Sequence, residues 1–587
     1  MTYQNLQMKV SDIVIKFLES KGISHVFTIS GGGCIHLIDS LGNSEKLKYI
    51  CVHHEQSAAM AAEGYARLKQ DIGACIVTTG PGGTNTLTGV LGCWLDSVPT
   101  IFISGQVSLS QIAEGTGCRQ IGDQEFDIVS TVNPMTKYAT MIRDKNKILY
   151  ELEYAYHIAT TGRPGPVWID IPLDIQGAVV SEKDLKRFEA APTSEPVSQE
   201  KVNDFINHIQ KASKPLFVVG SGIRLSNSYD RFNQLIKDSG IPALTGVHSG
   251  VDCVDNTYEY YAGRIGILGQ TTSNRIIQEA DLLIVLGSRL NVKMTGYNLM
   301  GFAPNADKIF VDIDINEMNK HQLSNIIMTI QSDIKSFLER LPSKIQVNIP
   351  EWQRRVRELR ADQKYYYDKH INMKGYASAY YFVDRLKEVV KDNPIITSNG
   401  SAHVVTLQTY QLKKDQRMFT NVGCASMGYG LPAAIGASFV SDKDVVCIEG
   451  DGSLQMNIQE LQTLVHHQLP IKMFVINNDG YLSIKITQEA FFGGKQVASS
   501  KDSGISFPDL GKICKAYGLK YIAITKNSEY DKKLAEVMSM RGPVVCELFT
   551  HPHEKHEPKV VHKGIDSEGR IIPGELTDMF ISDVFNL

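Results

Sequence analysis

The run Asp444-Val-Val-Cys-Ile-Glu-Gly-Asp-Gly-Ser453 decides how this chain is read. Its apolar core, Val445–Ile448, does not alternate with polar residues, which suits a strand buried on both faces of a parallel sheet. The strand runs into Gly450-Asp451-Gly452-Ser453. Glycines at a strand's carboxyl end let the backbone approach a phosphate closely, and a helix starting there offers free N–H groups to it. A second apolar strand, Lys472–Ile476, leads into Asn477-Asn478. The Asp451 carboxylate and the Asn478 side-chain oxygen are hard donors suited to Mg²⁺, which commonly bridges protein and phosphate. A glycine-aspartate-glycine turn alone is common among unrelated loops. The strand before it, the helix after it and the asparagine pair downstream make the combination specific.

Outward from this run the same alternation recurs. In the amino-terminal part His25–Ser30, Tyr49–His53, Ala74–Thr79, Thr100–Ser104 and Val167–Asp170 read as strands, with helices at Ser57–Lys69 and Asn85–Leu95. A middle set comprises Leu216–Gly220, Leu282–Gly287 and Lys308–Asp312, and a third comprises Pro394–Ser398, Val445–Glu449, Lys472–Ile476 and Val544–Leu548. Three rounds of strand–helix alternation predict an α/β chain of three doubly wound parallel-sheet domains, at 1–181, 200–342 and 376–587. The proline-dotted stretch Ser181–Gln199 reads as a linker, and the charged Glu351–Lys369 as a solvated helix or linker.

Composition excludes several classes. The 587 residues include 43% hydrophobic and 21% charged side chains, a globular balance. Sixty basic against sixty-four acidic residues leave a net charge of −4, so no bulk attraction to nucleic acid or an anionic membrane is expected. No apolar run reaches the roughly 18 residues of a membrane span, and Met1-Thr-Tyr-Gln-Asn5 lacks the basic flank and apolar core of a signal peptide. Ten cysteines without a C-x-x-C pair suggest no disulfide framework. A cytoplasmic, multidomain protein is expected.

The glycine-aspartate-glycine turn with its asparagine pair resembles the thiamine-diphosphate binding motif, and within that superfamily the chain resembles the acetohydroxyacid (acetolactate) synthase catalytic subunits. The resemblance spans all three domains and rests on four further blocks: His53-His-Glu-Gln-Ser-Ala-Ala-Met-Ala-Ala-Glu-Gly-Tyr-Ala-Arg67, Thr79-Gly-Pro-Gly-Gly-Thr-Asn85, Ser104-Gly-Gln-Val107 and Met427-Gly-Tyr-Gly-Leu-Pro-Ala-Ala-Ile-Gly436. It implies that Asp451, Asn478 and the Gly480 carbonyl hold Mg²⁺. Gly450, Gly452, Ser453 and Tyr481 would surround the diphosphate, with the Gly400-Ser401 turn. Met427 would prop the cofactor in its bent form, and Pro81 and Asn85 would line its pyrimidine. Glu55 would hydrogen-bond the aminopyrimidine and draw it to the imino tautomer, whose nitrogen takes the proton of thiazolium C2. Gln106, Gln124 and Lys137 match polar positions of the family's substrate channel, the lysine placed to steer a 2-oxo acid carboxylate. Pro81 and Asn85 also fit a plain strand–helix turn with an Asn cap, and both roles can hold at once. The resemblance also implies a homodimer or homotetramer, because two subunits share each cofactor in the family.

The sequence departs from the family near the substrate. An aromatic that packs on the pyruvate methyl is replaced by Asp123 in Asp123-Gln124-Glu125, a tryptophan by Thr487 and a methionine by Ser483. Those changes predict a more polar acceptor pocket. In the middle domain Gly220-Ser-Gly-Ile223 is not a dinucleotide fingerprint, since Leu225 takes the third glycine's place. FAD and an empty or ADP-binding domain are both left open. The histidine-rich His551-Pro-His-Glu-Lys-His-Glu557 lacks zinc-site spacing and reads as a solvated loop, and His466-His467 as a helix end. The activity implied is decarboxylation of a 2-oxo acid, by default pyruvate, and transfer of the acyl-anion equivalent to a carbonyl. Alternatives are a sugar-derived ketone as acceptor, C–C hydrolysis of a cyclic dione, or a non-catalytic paralogue.

Overall fold

The computed structural model describes residues 7–190, 196–320 and 323–582; part of the expected linker therefore lies outside the described residues. Three six-stranded sheets organise the chain. In the first, the strands lie in the order Lys48–Cys51, His25–Thr28, Gly73–Val77, Thr100–Gln106, Pro166–Pro172 and Tyr138–Met141, all parallel. The middle sheet runs Tyr261–Ile265, Ala243–Gly246, Pro215–Val219, Leu282–Leu286, Asp307–Asp312 and Ile326–Gln331, again parallel. The third runs Met418–Phe419, Ile395–Thr397, Val445–Gly450, Ile471–Asn477, Val544–Phe549 and Lys520–Ile524. Numbered within each sheet, the first and third share the order 2-1-3-4-6-5, whereas the middle sheet has 3-2-1-4-5-6.

Most strands expected from apolar runs are buried throughout, as in Gly73–Val77 and Leu282–Leu286, whereas the edge strand Lys48–Cys51 is largely exposed. Contacts divide the chain into two units: residues 1–193, 421–447 and 453–471, and residues 194–420, 448–452 and 472–587. In the first unit the alanine-rich helix Glu55–Lys69 packs on Gly430–Ser438 with almost no separation. A Cβ at Gly64 would stand 2.2 Å from the Ala433 carbonyl oxygen, and one at Gly436 would stand 1.8 Å from that of Ala61. Only small residues let two helix backbones meet this way. In the same unit Glu63, fully buried, accepts from Arg67 at 2.8 Å and from the Tyr429 hydroxyl at 3.2 Å, while Arg67 also bonds Asp96 at 2.6 Å.

One expectation needs correction. The charged stretch after residue 350 is not simply solvated. Its helix, Pro350–Ala361, turns Trp352, Val356 and Leu359 into the core of the middle domain, and the Trp352 indole N–H donates to the Pro215 carbonyl at 3.0 Å. Three apolar residues at i, i+4 and i+7 outweigh the charges between them. The helix expected at Asn85–Leu95 forms at Leu87–Asp96, and a separate short turn, Pro81–Thr84, precedes it.

Candidate active site

In an open α/β sheet, ligands gather beyond the carboxyl ends of the strands where strand order reverses. In the first sheet that point lies between His25–Thr28 and Gly73–Val77, so Ser30-Gly-Gly-Gly33 and Thr78-Thr-Gly-Pro81 border it. In the third it lies between Ile395–Thr397 and Val445–Gly450, which places Gly400-Ser401 and Gly450-Asp451-Gly452 together. Of the residues singled out from sequence, Pro81 and Asn85 follow the first of these points, and Gly400, Ser401, Gly450, Asp451 and Gly452 border the second.

In the first unit, Glu55 opens its helix, with His54 as the capping residue accepting the Gln56 N–H through Nδ1 at 3.1 Å. The Asn85 amide donates to Glu55 Oε2 at 2.9 Å. Asn85 is thus no N-cap: the next helix is capped by Thr86, which makes no side-chain cap bond. Pro81 sits at the first position of the short turn that carries Asn85. The Met427-Gly428 turn is tied down by two bonds, from the Gly428 N–H to Ser453 Oγ at 2.8 Å and from Asn457 Nδ2 to the Gly428 carbonyl at 2.8 Å. Asn457 also takes the Ser57 hydroxyl at 3.0 Å and reaches Gln56 at 3.2 Å, linking this turn to the first turn of the Glu55 helix.

The three channel residues part company. Gln106 is buried and fully engaged: its carbonyl accepts Thr79 Oγ1 at 2.8 Å and the Val107 N–H at 3.0 Å, and its amide donates to Phe126 O and Asp170. Burial pushes the Asp170 carboxyl up to about 7. Gln124 is exposed, in the left-handed region at φ 60°, and its side-chain amide has no hydrogen-bond partner among the described residues. Lys137 goes elsewhere. Its ammonium bonds the carbonyls of Ile158 and of Thr161 (2.7 Å) at the end of the helix Ile148–Thr160, and burial lowers it to about 8. Asp123 is exposed, whereas Glu125 is buried and staples its loop by accepting the Ala113 N–H at 2.6 Å and the Ile121 N–H at 2.9 Å.

In the second unit, Asp451 begins a helical turn and is 7% exposed. Its carboxylate accepts the N–H groups of Gly452 at 2.7 Å, Asn478 at 3.0 Å and Gly480 at 3.4 Å. Even so, burial pushes it up to about 7, the mark of an anion short of positive charge. Asn478 Oδ1 is buried and has no hydrogen-bond partner among the described residues. A desolvated carboxylate beside an orphaned amide oxygen fits a divalent cation with oxygen preference. Lys485, which sequence reasoning passed over, lies beneath this loop and donates to the carbonyls of Asp479 at 2.8 Å and Asn478 at 3.2 Å. Its signal was available, since it stands three residues after Leu482, on the same face of the helix Leu482–Phe492, and the two are that helix's buried residues. The Tyr481 ring closes against Gly452, where a Cβ would stand 2.4 Å from Cε1, and meets Phe507 edge-on at 5.9 Å. Ser401 heads the helix Ser401–Thr409, and its Oγ lies 3.0 Å from His556 Nε2.

Also in the second unit, the middle sheet's switch point offers less. The Gly222 N–H donates to the Gly287 carbonyl at 3.0 Å, and only a single turn, Gly222–Leu225, follows. A Cβ at Gly250 would lie 2.8 Å from the Gly220 carbonyl carbon, so the 249–251 loop covers the turn.

Comparison with known proteins agrees with this geometry. The N-terminal TPP binding, central and C-terminal TPP binding domains of thiamine pyrophosphate enzymes match residues 8–130, 202–341 and 398–548. The chain is 32% identical over 553 residues to the acetolactate synthase isozyme 1 large subunit of Escherichia coli K12, covering 94% of this chain and 95% of the relative. It is 32% identical over 561 residues to isozyme 2 of the same organism (94% and 98%), and 30% identical over 580 residues to the acetolactate synthase large subunit of Lactococcus lactis (96% of each). Matched along almost its whole length, the chain belongs to the thiamine pyrophosphate enzymes, with acetolactate synthase large subunits among its relatives.

Proposed function

We propose that this protein is a thiamine-diphosphate- and Mg²⁺-dependent carboligase that decarboxylates pyruvate and joins the two-carbon unit to a second carbonyl compound, giving acetolactate when that compound is pyruvate. The observation that carries the cofactor reading is the buried, partnerless Asn478 Oδ1 beside the desolvated Asp451 carboxylate. Full-length likeness to acetolactate synthases supports the substrate.

Asp451, Asn478 Oδ1 and the Gly480 carbonyl would hold the metal. Gly400, Ser401, Gly450, Gly452, Ser453 and Tyr481 would surround the diphosphate, Pro81 and Asn85 would line the pyrimidine, and Met427 would prop the cofactor. When bound, thiamine diphosphate supplies a ring that stabilises the electron pair left by decarboxylation. Glu55 contributes the proton chemistry: Oε2 is fixed by the Asn85 amide, which leaves Oε1 to hold a proton against a ring nitrogen. Gln124, with its amide unengaged, is the channel residue placed to meet substrate. Gln106 acts through Thr79 and Asp170, and Lys137 closes a helix end.

The middle domain is read without a flavin or ADP, because the turn that would face a pyrophosphate is bonded to Gly287 and covered by the 249–251 loop. Absence of the roughly 450 nm flavin band from freshly purified protein is the expected result. We read the enzyme as a cytoplasmic homodimer or homotetramer, which sedimentation velocity resolves. No helix among the described residues is long and apolar enough to cross a membrane.

A second reading has its own observation. Asp123 and Thr487 are exposed and Ser483 half-buried, where the family carries large apolar side chains. That favours a neutral, hydroxylated acceptor such as a sugar-derived ketone. Pyruvate offered with a panel of 2-oxo acids, aldehydes and ketosugars, with products identified by mass spectrometry, decides between the two. Acetolactate from pyruvate alone supports the first reading, and a product only with a ketosugar supports the second. No pyruvate consumption with any acceptor overturns both.

A further inference from the structure

The His551–Glu557 segment, expected as a solvated loop, is instead built into the second unit. Glu554 is buried and accepts the Ser378 hydroxyl at 2.5 Å and the Ala379 N–H at 2.9 Å. The Glu557 N–H donates to the Tyr380 hydroxyl at 2.7 Å. Its carboxylate takes the Ser582 hydroxyl at 2.5 Å and the Lys369 ammonium. Between these anchors His556, 7% exposed, directs Nε2 at Ser401 Oγ, 3.0 Å away. Burial lowers the ring to about 4, so near neutral pH it carries a single N–H.

A serine hydroxyl has one proton and two lone pairs, whereas a diphosphate oxygen only accepts. If His556 accepted the Ser401 proton, the hydroxyl would turn its lone pairs outward and repel an anion. With the proton on Nε2, the imidazole donates into Oγ and the hydroxyl proton is free to point away from it. A neutral donor chain from imidazole to hydroxyl to phosphate is the arrangement an anionic ligand stabilises. We propose that His556 is a positioning residue for the diphosphate: its Nε2–H donates to Ser401 Oγ and so directs the Ser401 hydroxyl proton to a phosphate oxygen. This rests on the thiamine-diphosphate reading above.

The test is calorimetric titration of the apoprotein with thiamine diphosphate at saturating Mg²⁺, for wild type, Ser401→Ala, His556→Ala, the double variant and His556→Gln. Ser401→Ala and His556→Ala should each weaken binding about tenfold, as for a hydrogen bond to a charged group. The double variant should be no weaker than about twofold beyond either single, because both remove one chain. His556→Gln, whose amide can donate near the position of Nε2, should stay within about threefold of wild type. A double variant near hundredfold, the product of two independent losses, would overturn the proposal. So would a His556→Gln variant as weak as His556→Ala while melting like wild type. Should His556→Ala unfold, His556→Met replaces it, with the same expected loss. Failure of the wild type to bind thiamine diphosphate sinks the functional reading and this inference together. Tight wild-type binding with an additive cycle sinks only the role of His556.

Discussion

The third and middle sheets each place a Gly-x-Gly turn at the point where strand order reverses, yet only one is equipped as a site. In the third sheet the turn carries Asp451 with its carboxylate desolvated, and the neighbouring strand end supplies Asn478 with an orphaned oxygen. In the middle sheet the turn's Gly222 N–H is bonded to Gly287, and a loop lies over it. Topology supplies a crevice in both. Whether the crevice becomes a site depends on whether its polar groups are left short of partners. The first sheet repeats the third's strand order, and the turn after its switch-point strand Gly73–Val77 leads to Asn85, which bonds Glu55.

The largest expected effect separates proton chemistry from binding. Glu55→Gln keeps a side chain that Asn85 can still meet but removes the carboxyl proposed to hold the proton. Exchange of the C2 proton of bound thiamine diphosphate, followed by NMR in deuterated water, should slow by about 10²–10⁴-fold, the usual worth of a positioned acid–base group. Affinity for the cofactor should stay within a few-fold. Exchange at the wild-type rate would remove Glu55 from the mechanism. Asp451→Ala acts on the other half of the comparison. Losing one of the two side chains proposed to hold the metal should weaken Mg²⁺-dependent cofactor binding by at least about 100-fold, above the loss seen for indirect partners of a metal. Unchanged affinity by calorimetry would show that the orphaned Asn478 oxygen has another purpose.

The middle sheet predicts the reverse pattern. In Gly222→Ala the new Cβ meets Gly287 Cα at 2.6 Å, an overpacking that should cost about 1–3 kcal/mol of stability in chemical denaturation. Thiamine-diphosphate affinity of the folded variant should not change. A specific loss of cofactor affinity, with stability intact, would mean that this turn serves the site after all.

Much of this contrast was legible in the residues, and the missing parts share a cause. Buried strands announce themselves as unbroken apolar runs. The edge strands Tyr138–Met141 and Lys520–Ile524, only partly buried, do not, and Met418–Phe419 is too short to read. The shared strand order of the first and third sheets is carried by pairings between distant segments, which no local pattern encodes. The same holds in the site. Asp451 and Asn478 stand in a local motif, whereas His556 gains meaning only from Ser401, 155 positions earlier. Lys137 shows the opposite failure: a lysine suited to a carboxylate is satisfied by two helix-end carbonyls that sequence does not bring near it.

The smallest effect concerns the acceptor. A large indole can select one extra methylene by packing, and a pocket built for that gains about 1–3 kcal/mol. Thr487 cannot supply it. It is exposed on the helix Leu482–Phe492, and its hydroxyl donates back to the Ser483 carbonyl at 2.9 Å, so even its polar atom is turned to its own helix. Preference for 2-oxobutanoate over pyruvate in direct competition should therefore be about threefold or less, far below what a packed methylene would give. Thr487→Trp should raise that preference if the side chain faces the acceptor, with little change in cofactor affinity. A strong preference in the wild type would place the selecting surface elsewhere. The exposed Gln124 amide and the loop stapled by Glu125 would then be the next residues to alter.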